Sequence, residues 1–554
     1  MLISLLAAAS IATFDWFEYR GDDGLPKPAT GDYANPILQG FYPDPSITRV
    51  GDDYYLINST FDWFPGIPVF HSRDLVHWTQ IGNAIDRPDQ LNFKSLGLSR
   101  GVFAPDISWH DGTFYILNTC VDCGGNFVIT AKDPAGPWSN PVWLPEIEGG
   151  IDPSLFFDAD GSAWVLNNGP PPGESLYDGH RAIWIQRFDA KSLKLVGPRA
   201  MLLNGGVKPE EKPIWIEGPH IFRKNGWYYL IAAEGGTAEG HSQVVLRSRA
   251  VTGPYDPFDG NPILTQRDLP RDRDKPITSA GHADFVETKN GEWWATFLAT
   301  RPYGDDYYNT GRETFLMRVR WQGGWPRLTD GGEVIPWTAS RPNLSPSPPP
   351  HLPINGAFTL RDEFSSSKLP LHWMMMRNPR ERWWTIGNGE LELRARPVAL
   401  GDNANPSFLA RRQQHINSTA TTVVRFKPAN GAEAGLVALQ SDEYWFFLAL
   451  AEDGGKPVIR LRRRAGPEEP NTGTIVKQEQ LAPPVGLPLY LRADARGAQY
   501  DFSWSTDGKT WRMLLKDADG TLLSTKRAGG FVGAVYGVHA YQPAKSGTAE
   551  RGRR

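Results

Sequence analysis

Residues 217–229 read EGPHIFRKNGWYY: an acid, a short apolar run, a turn at Asn225-Gly226, then an aromatic strand. The same arrangement recurs along the first 340 residues. Its other turns are Asp52-Asp53-Tyr54-Tyr55, Gly112-Thr113-Phe114-Tyr115, Gly161-Ser162-Ala163-Trp164 and Gly291-Glu292-Trp293-Trp294. About eight or nine residues before each turn stand Asp44, Phe103, Asp152, Glu217 and His282. Hairpin closure explains the turns and aromatic strands. It does not explain why three acids, a ring and an imidazole share one register.

The period is roughly 50 to 65 residues, which suits a propeller blade of about four strands. Five copies predict a five-bladed β-propeller over residues 35–338. The inner strands of a propeller line its axis, so residues at one register converge there. Residues 341–353, RPNLSPSPPPHLP, break the pattern. They predict a stiff, extended linker within residues 339–356. Beyond it, residues 434–439 (AGLVAL), 444–450 (YWFFLAL) and 489–492 (LYLR) are strand-like, and YDFSWSTDGKTW at 500–511 reads as a hairpin. The second domain, residues 357–545, is therefore expected to be a β-sandwich, and the fold class is all-β.

Composition agrees. The 57 Gly and 47 Pro suit many turns between short strands. A net charge of −4 on 554 residues offers no basic stripe for nucleic acid. No run reaches the length of an apolar membrane span. Residues 1–12, MLISLLAAASIA, are apolar and end in a small-x-small site. They predict a signal peptide and a secreted or periplasmic protein, the alternative being an apolar start to a cytoplasmic one. The only cysteines, Cys120 and Cys123, lack the partners of a metal site and read as a loop pair without redox function, bonded or free.

Glycoside hydrolysis needs two carboxyl groups, one to protonate the leaving oxygen and one to act as base or nucleophile. Asp44, Asp152 and Glu217 supply three. Crowding them raises at least one pKa, as a general acid near neutral pH requires.

Nine motifs lie in order: YPDPS (42–46), STFDWFPG (59–66), HSRDLVHW (71–78), FAPD (103–106), IDPSLF (151–156), EGPHIF (217–222), AEGGT (233–237), AGHA (280–283) and GRET (311–314). Together they resemble glycoside hydrolase family 43, in its β-xylosidase and α-L-arabinofuranosidase branch. AGLVAL and AGGFVGAVYGVH (528–539) resemble that branch's C-terminal concanavalin A-like jelly roll. The resemblance implies an inverting enzyme in which Asp44 is the general base, Glu217 the general acid and Asp152 the residue that tunes and orients the acid. It implies that Arg312 contacts the sugar and the surroundings of Asp152. Phe61 and Phe103 would wall the sugar pocket, and Phe531 would reach over its mouth. No cofactor is required, and a calcium ion in the channel near His282 is the one addition the resemblance allows. Relatives carry Trp at Phe103, so the preferred sugar stays open. The expected substrates are xylo-oligosaccharides, releasing terminal β-D-xylose, or arabinose-substituted xylan fragments. A propeller that only binds glycans is the reading of another class. A homo-oligomer is expected by analogy, with no nucleic-acid or membrane partner.

Relatives also end in a strand resembling FDYF. Here FDWFEY stands at residues 14–19 instead. It predicts that residues 13–20 complete the C-terminal sandwich, as in a circular permutation.

Overall fold

The computed structural model describes residues 10–481 and 487–544. Most of the apolar leader and the polar tail at 547–554 lie outside them. The chain forms two units, residues 24–356 and residues 1–23 with 357–554. Among the described residues no helix is long and apolar enough to cross a membrane.

In the first unit five antiparallel sheets follow one another along the chain. Their leading strands are Ser46–Val50, Asp106–His110 (after the two-residue strand Gly101–Val102), Ile151–Phe157, Glu217–Lys224 and Thr278–Glu287. Each of these leading strands touches that of the next sheet, and the fifth touches the first. Strand alternation explains the stacking, because successive side chains point to opposite faces. In Thr113–Val121, Phe114 and Ile116 pack toward the first sheet with Ile57 and Val69. Tyr115 and Leu117 pack toward the third with Leu155 and Val165. The same split recurs in Trp227–Glu234, where Leu230 and Ala232 face the third sheet and Tyr229 and Ile231 the fifth. A last cluster joins Val286 and Trp294 of the fifth sheet to Ile47 and Leu56 of the first. The segment entering the unit secures that junction. Asn35 Nδ2 donates to Leu316 O at 3.0 Å, and Leu316 N–H returns a bond to Asn35 Oδ1 at 2.9 Å.

The Pro-rich stretch does not hang free. Buried Asp74 accepts from Arg341 Nη2 at 2.6 Å and from Ser347 N–H at 2.7 Å, which holds the stretch along this unit. Cys120 and Cys123 are disulfide-bonded at the turn between Thr113–Val121 and Gly125–Ala131.

The second unit consists of an eight-stranded and a six-stranded sheet with one apolar core between them. Ile11–Gly21 is an inner strand of the larger sheet. It pairs with Asn417–Arg425 on one side, and with Glu390–Arg394 and Phe358–Asp362 on the other. Ala12 and Phe14, and after a bulge Phe17 and Tyr19, are buried in the core.

Candidate active site

The first strands of the third, fourth and fifth sheets share a defect. Their ladders shift register between Ile151 and Ser154, between Glu217 and His220, and between Gly281 and Asp284. Within each shift one residue is left-handed: Asp152 (φ 53°), Gly218 (φ 54°) and His282 (φ 52°). Asp44, two residues before the first strand, has φ 51°. A bulge of this kind lifts a residue out of the pleat and re-aims its side chain. The prolines beside these positions, Pro45, Pro153 and Pro219, sit where a ladder N–H is dispensable. Left-handed non-glycine residues cost of order 1–3 kcal/mol each, so strain is concentrated at this register. Gly218 is needed twice over, because a Cβ there would stand 2.7 Å from His282 Nε2.

The carboxylates so placed differ in surroundings. Asp44 is buried, which opposes ionisation, yet its pKa is lowered overall by Arg312, His282 and the Ser59 hydroxyl. Arg312 Nη1 donates to Asp44 Oδ1 at 3.3 Å and to Thr237 Oγ1 at 2.7 Å. The Ser59 hydroxyl donates to Asp44 Oδ2, and His282 Nδ1 lies 3.8 Å from Asp44 Oδ1. Asp152 accepts from Gly218 N–H at 3.1 Å. Burial and then the charge on Asp44 raise its pKa. Glu217 is raised well above the usual range by burial, by Asp152 and by Asp44. One group biased toward the anion thus faces a pair that retains a proton, the separation that general acid–base chemistry uses.

His282 is held neutral, its pKa pushed down to about 4 by burial. His241 is also neutral, near 3 through burial, and its Nδ1–H donates to Ser279 O at 2.9 Å. Phe61 and Phe103 meet edge-on, ring centres 5.6 Å apart, with the Arg312 guanidinium 6.0 Å from the Phe61 ring centre. Phe531 belongs to the other unit. It is half-buried in the loop between Thr525–Ala528 and Val535–Tyr541.

Arg312 engages Asp44 and acts on Glu217, and a second guanidinium, that of Arg181, acts on both Asp152 and Glu217. Arg181 lies outside the nine motifs, and its sequence context gave no signal. One ligand-type cluster stands out among the described residues. It comprises Asp106, His220 and Asp284, with ligand atoms within 4.8 Å of one another, and excludes His282. Calcium takes six to eight oxygens. This set offers two carboxylates whose other oxygens are engaged, Asp106 Oδ2 by Leu155 N–H and Asp284 Oδ2 by Ser46 and Ile47. The His220 imidazole lies 3.4 Å and 3.6 Å from them, its pKa raised to about 9 as their charge outweighs burial. An imidazolium balances the carboxylates here, and the donors do not fit a calcium cage.

Residues 33–326 match the family model described as glycosyl hydrolases family 43. Residues 361–550 match the beta xylosidase C-terminal concanavalin A-like domain. The chain is 38% identical over 527 residues to a xylosidase/arabinosidase of Butyrivibrio fibrisolvens, covering 92% of this chain and 96% of that one. It is 36% identical over 518 residues to a non-reducing end alpha-L-arabinofuranosidase of Bacteroides ovatus, covering 92% and 91%. A crystal structure of a GH43_12 protein retrieved from capybara gut metagenome matches with a TM-score of 0.89 at 38% identity, covering 96% of this chain and all of the other.

Proposed function

Since the chain belongs to glycosyl hydrolase family 43, we propose that its five sheets form a five-bladed propeller whose axis carries an inverting exo-glycosidase site. The substrate we assign is a xylo-oligosaccharide, cleaved to release its terminal β-D-xylose. The opposed electrostatics of Asp44 and Glu217 carry this reading. Asp44, kept anionic, takes a proton from water as the water oxygen attacks the anomeric carbon. Glu217, kept protonated by its crowded surroundings, gives its proton to the departing glycosidic oxygen. Asp152 shares the proton-retaining environment and orients the acid. Arg312 fixes Asp44 and presents donors to the sugar, and Phe61 and Phe103 wall the pocket. No step runs through a metal ion.

Release of α-L-arabinofuranose is the second reading, alone or as a dual activity. The names of the relatives favour it, and the Phe at position 103 leaves pocket width, which decides between two sugars of similar hydroxyl pattern, open. The test is kcat/KM on aryl β-D-xyloside and aryl α-L-arabinofuranoside, with Glu217→Ala as control. Cleavage of either, lost in the variant by a factor of about 10² or more, supports the mechanism and ranks the sugars. Cleavage of neither ends the monosaccharide-releasing reading and makes long arabinan, or glycan binding without catalysis, the next test. Export is part of the same reading and rests on the apolar leader. Processing after Ala12 would remove Ile11 and Ala12 from their pairing with Arg394 and Leu393, so N-terminal sequencing of the mature protein checks the site of cleavage.

A further inference from the structure

A general acid hands its proton to the glycosidic oxygen, so the leaving group must lie on the acid's side of the broken bond. Two residues before Glu217 stands Trp215, left-handed at φ 49° and 38% exposed. The Arg181 guanidinium lies 4.9 Å from the centre of its indole ring. Arg181 is anchored in turn, Nη2 donating to Gly149 O at 2.7 Å and to Asn168 Oδ1 at 2.9 Å. Its charge acts on both Asp152 and Glu217, which places the indole, through Arg181, at the edge of the carboxylate cluster.

The surrounding backbone is committed to holding that ring outward. Trp215 N–H donates to Gly179 O at 2.9 Å. The Tyr177 hydroxyl bonds Gly205 O at 3.0 Å and Pro213 O at 3.1 Å. Tyr177 stacks on His180, ring centres 4.7 Å apart, and His180 Nε2 meets Asn204 Oδ1 at 2.9 Å. The loops at 176–181 and 204–216 are therefore clasped together. On this clasp Leu176 is 78% exposed, and Ile214, next to Trp215, is 49% exposed. Large apolar groups held in water by a rigid clasp, next to a catalytic acid, mark a surface that a ligand covers.

We propose that Trp215, braced by Arg181, is the platform on which the leaving-group sugar stacks, so that this residue sets the preference for oligosaccharides over simple glycosides. The inference rests on the glycosidase reading above. Pyranose rings present an apolar C–H face that suits an indole, and this indole is exposed two residues before the acid. A methyl leaving group is too small to reach it.

The experiment compares kcat/KM of wild type, Trp215→Ala and Trp215→Phe on xylobiose and on methyl β-D-xyloside, or on the corresponding arabinose pair if that is the sugar removed. Trp215→Ala is expected to lose roughly tenfold on the disaccharide and less than about twofold on the methyl glycoside, with Trp215→Phe recovering most of the difference. Inhibition by free xylose, which probes the terminal pocket, stays unchanged. Equal losses on both substrates, or no loss on the disaccharide, overturn the inference and leave the activity standing. A wild-type chain that cleaves neither substrate pair overturns the activity reading and this inference with it.

Discussion

Removing the strand Ile11–Gly21 should open the sandwich unit from its middle. In the eight-stranded sheet this strand lies between Asn417–Arg425 and Glu390–Arg394, so its loss creates two unpaired inner edges at once. Phe14 and Phe17 are 0% and 1% exposed. The Phe17 ring packs edge-on against Trp373, with centres 5.2 Å apart. The Tyr19 hydroxyl accepts from Gln414 N–H and meets His415 Nδ1, each at 2.9 Å. Phe17→Ala alone should cost roughly 3–5 kcal/mol. In a unit of about 200 residues that lowers Tm by about 6–20 °C, at 2–4 °C per kcal/mol. Deleting residues 13–19 removes both phenylalanines and Tyr19, a loss comparable with the about 5–15 kcal/mol that holds a domain together. The assay is calorimetry of the full chain with hydrogen exchange read by peptide. Expected are a lost or lowered transition and fast exchange in residues 417–425 and 390–394. A peptide of residues 10–23 added in trans should slow that exchange again. A deletion variant that melts and exchanges like the parent would refute the placement of this strand.

Three further outcomes follow from the site. The kcat/KM profile should be bell-shaped. Its acid limb falls as Asp44 takes a proton, below the ordinary aspartate range because Arg312 holds that pKa down, and its alkaline limb falls as the Asp152–Glu217 pair loses its proton, above the ordinary glutamate range. Asp152→Asn removes a negative charge beside Glu217, so the alkaline limb should move to lower pH; a limb that stays put refutes the electrostatic role of Asp152. Gly218→Ala should destabilise the first unit by about 1–3 kcal/mol and depress kcat, since a left-handed alanine would also press its Cβ onto His282; denaturant midpoints and kcat measured together check this, and an unchanged kcat refutes the geometry.

The sequence carried the repeat because each copy obeys one local rule, a turn followed by an aromatic strand buried on both faces. Period-two burial then explains why Phe114 and Tyr115 serve different cores. The acids were legible because the bulges that aim them leave a mark, the proline beside a left-handed aspartate or glycine. Contacts of long reach were not. Nothing local links Arg312 to Asp44, 268 positions away, and Arg181 comes from a loop whose neighbours are tyrosine, histidine and glycine. The ligand-type cluster was hidden for the same reason, since only three dimensions show that Asp106 and Asp284 converge on His220.

These facts give the site two layers. At the register of the bulges lie groups biased in opposite directions, Asp44 toward the anion and Glu217 toward the acid. Two or three residues further along the same strands lie Ser46, Asp106, His220 and Asp284, where a buried imidazolium pairs with two carboxylates. That lower layer makes the upper one workable. Asp106 and Asp284 unpaired would add negative charge beneath Asp152, and His220 instead contributes a positive charge that lowers the pKa of Asp152. Burial and crowding leave the Asp152–Glu217 pair holding a proton above this layer.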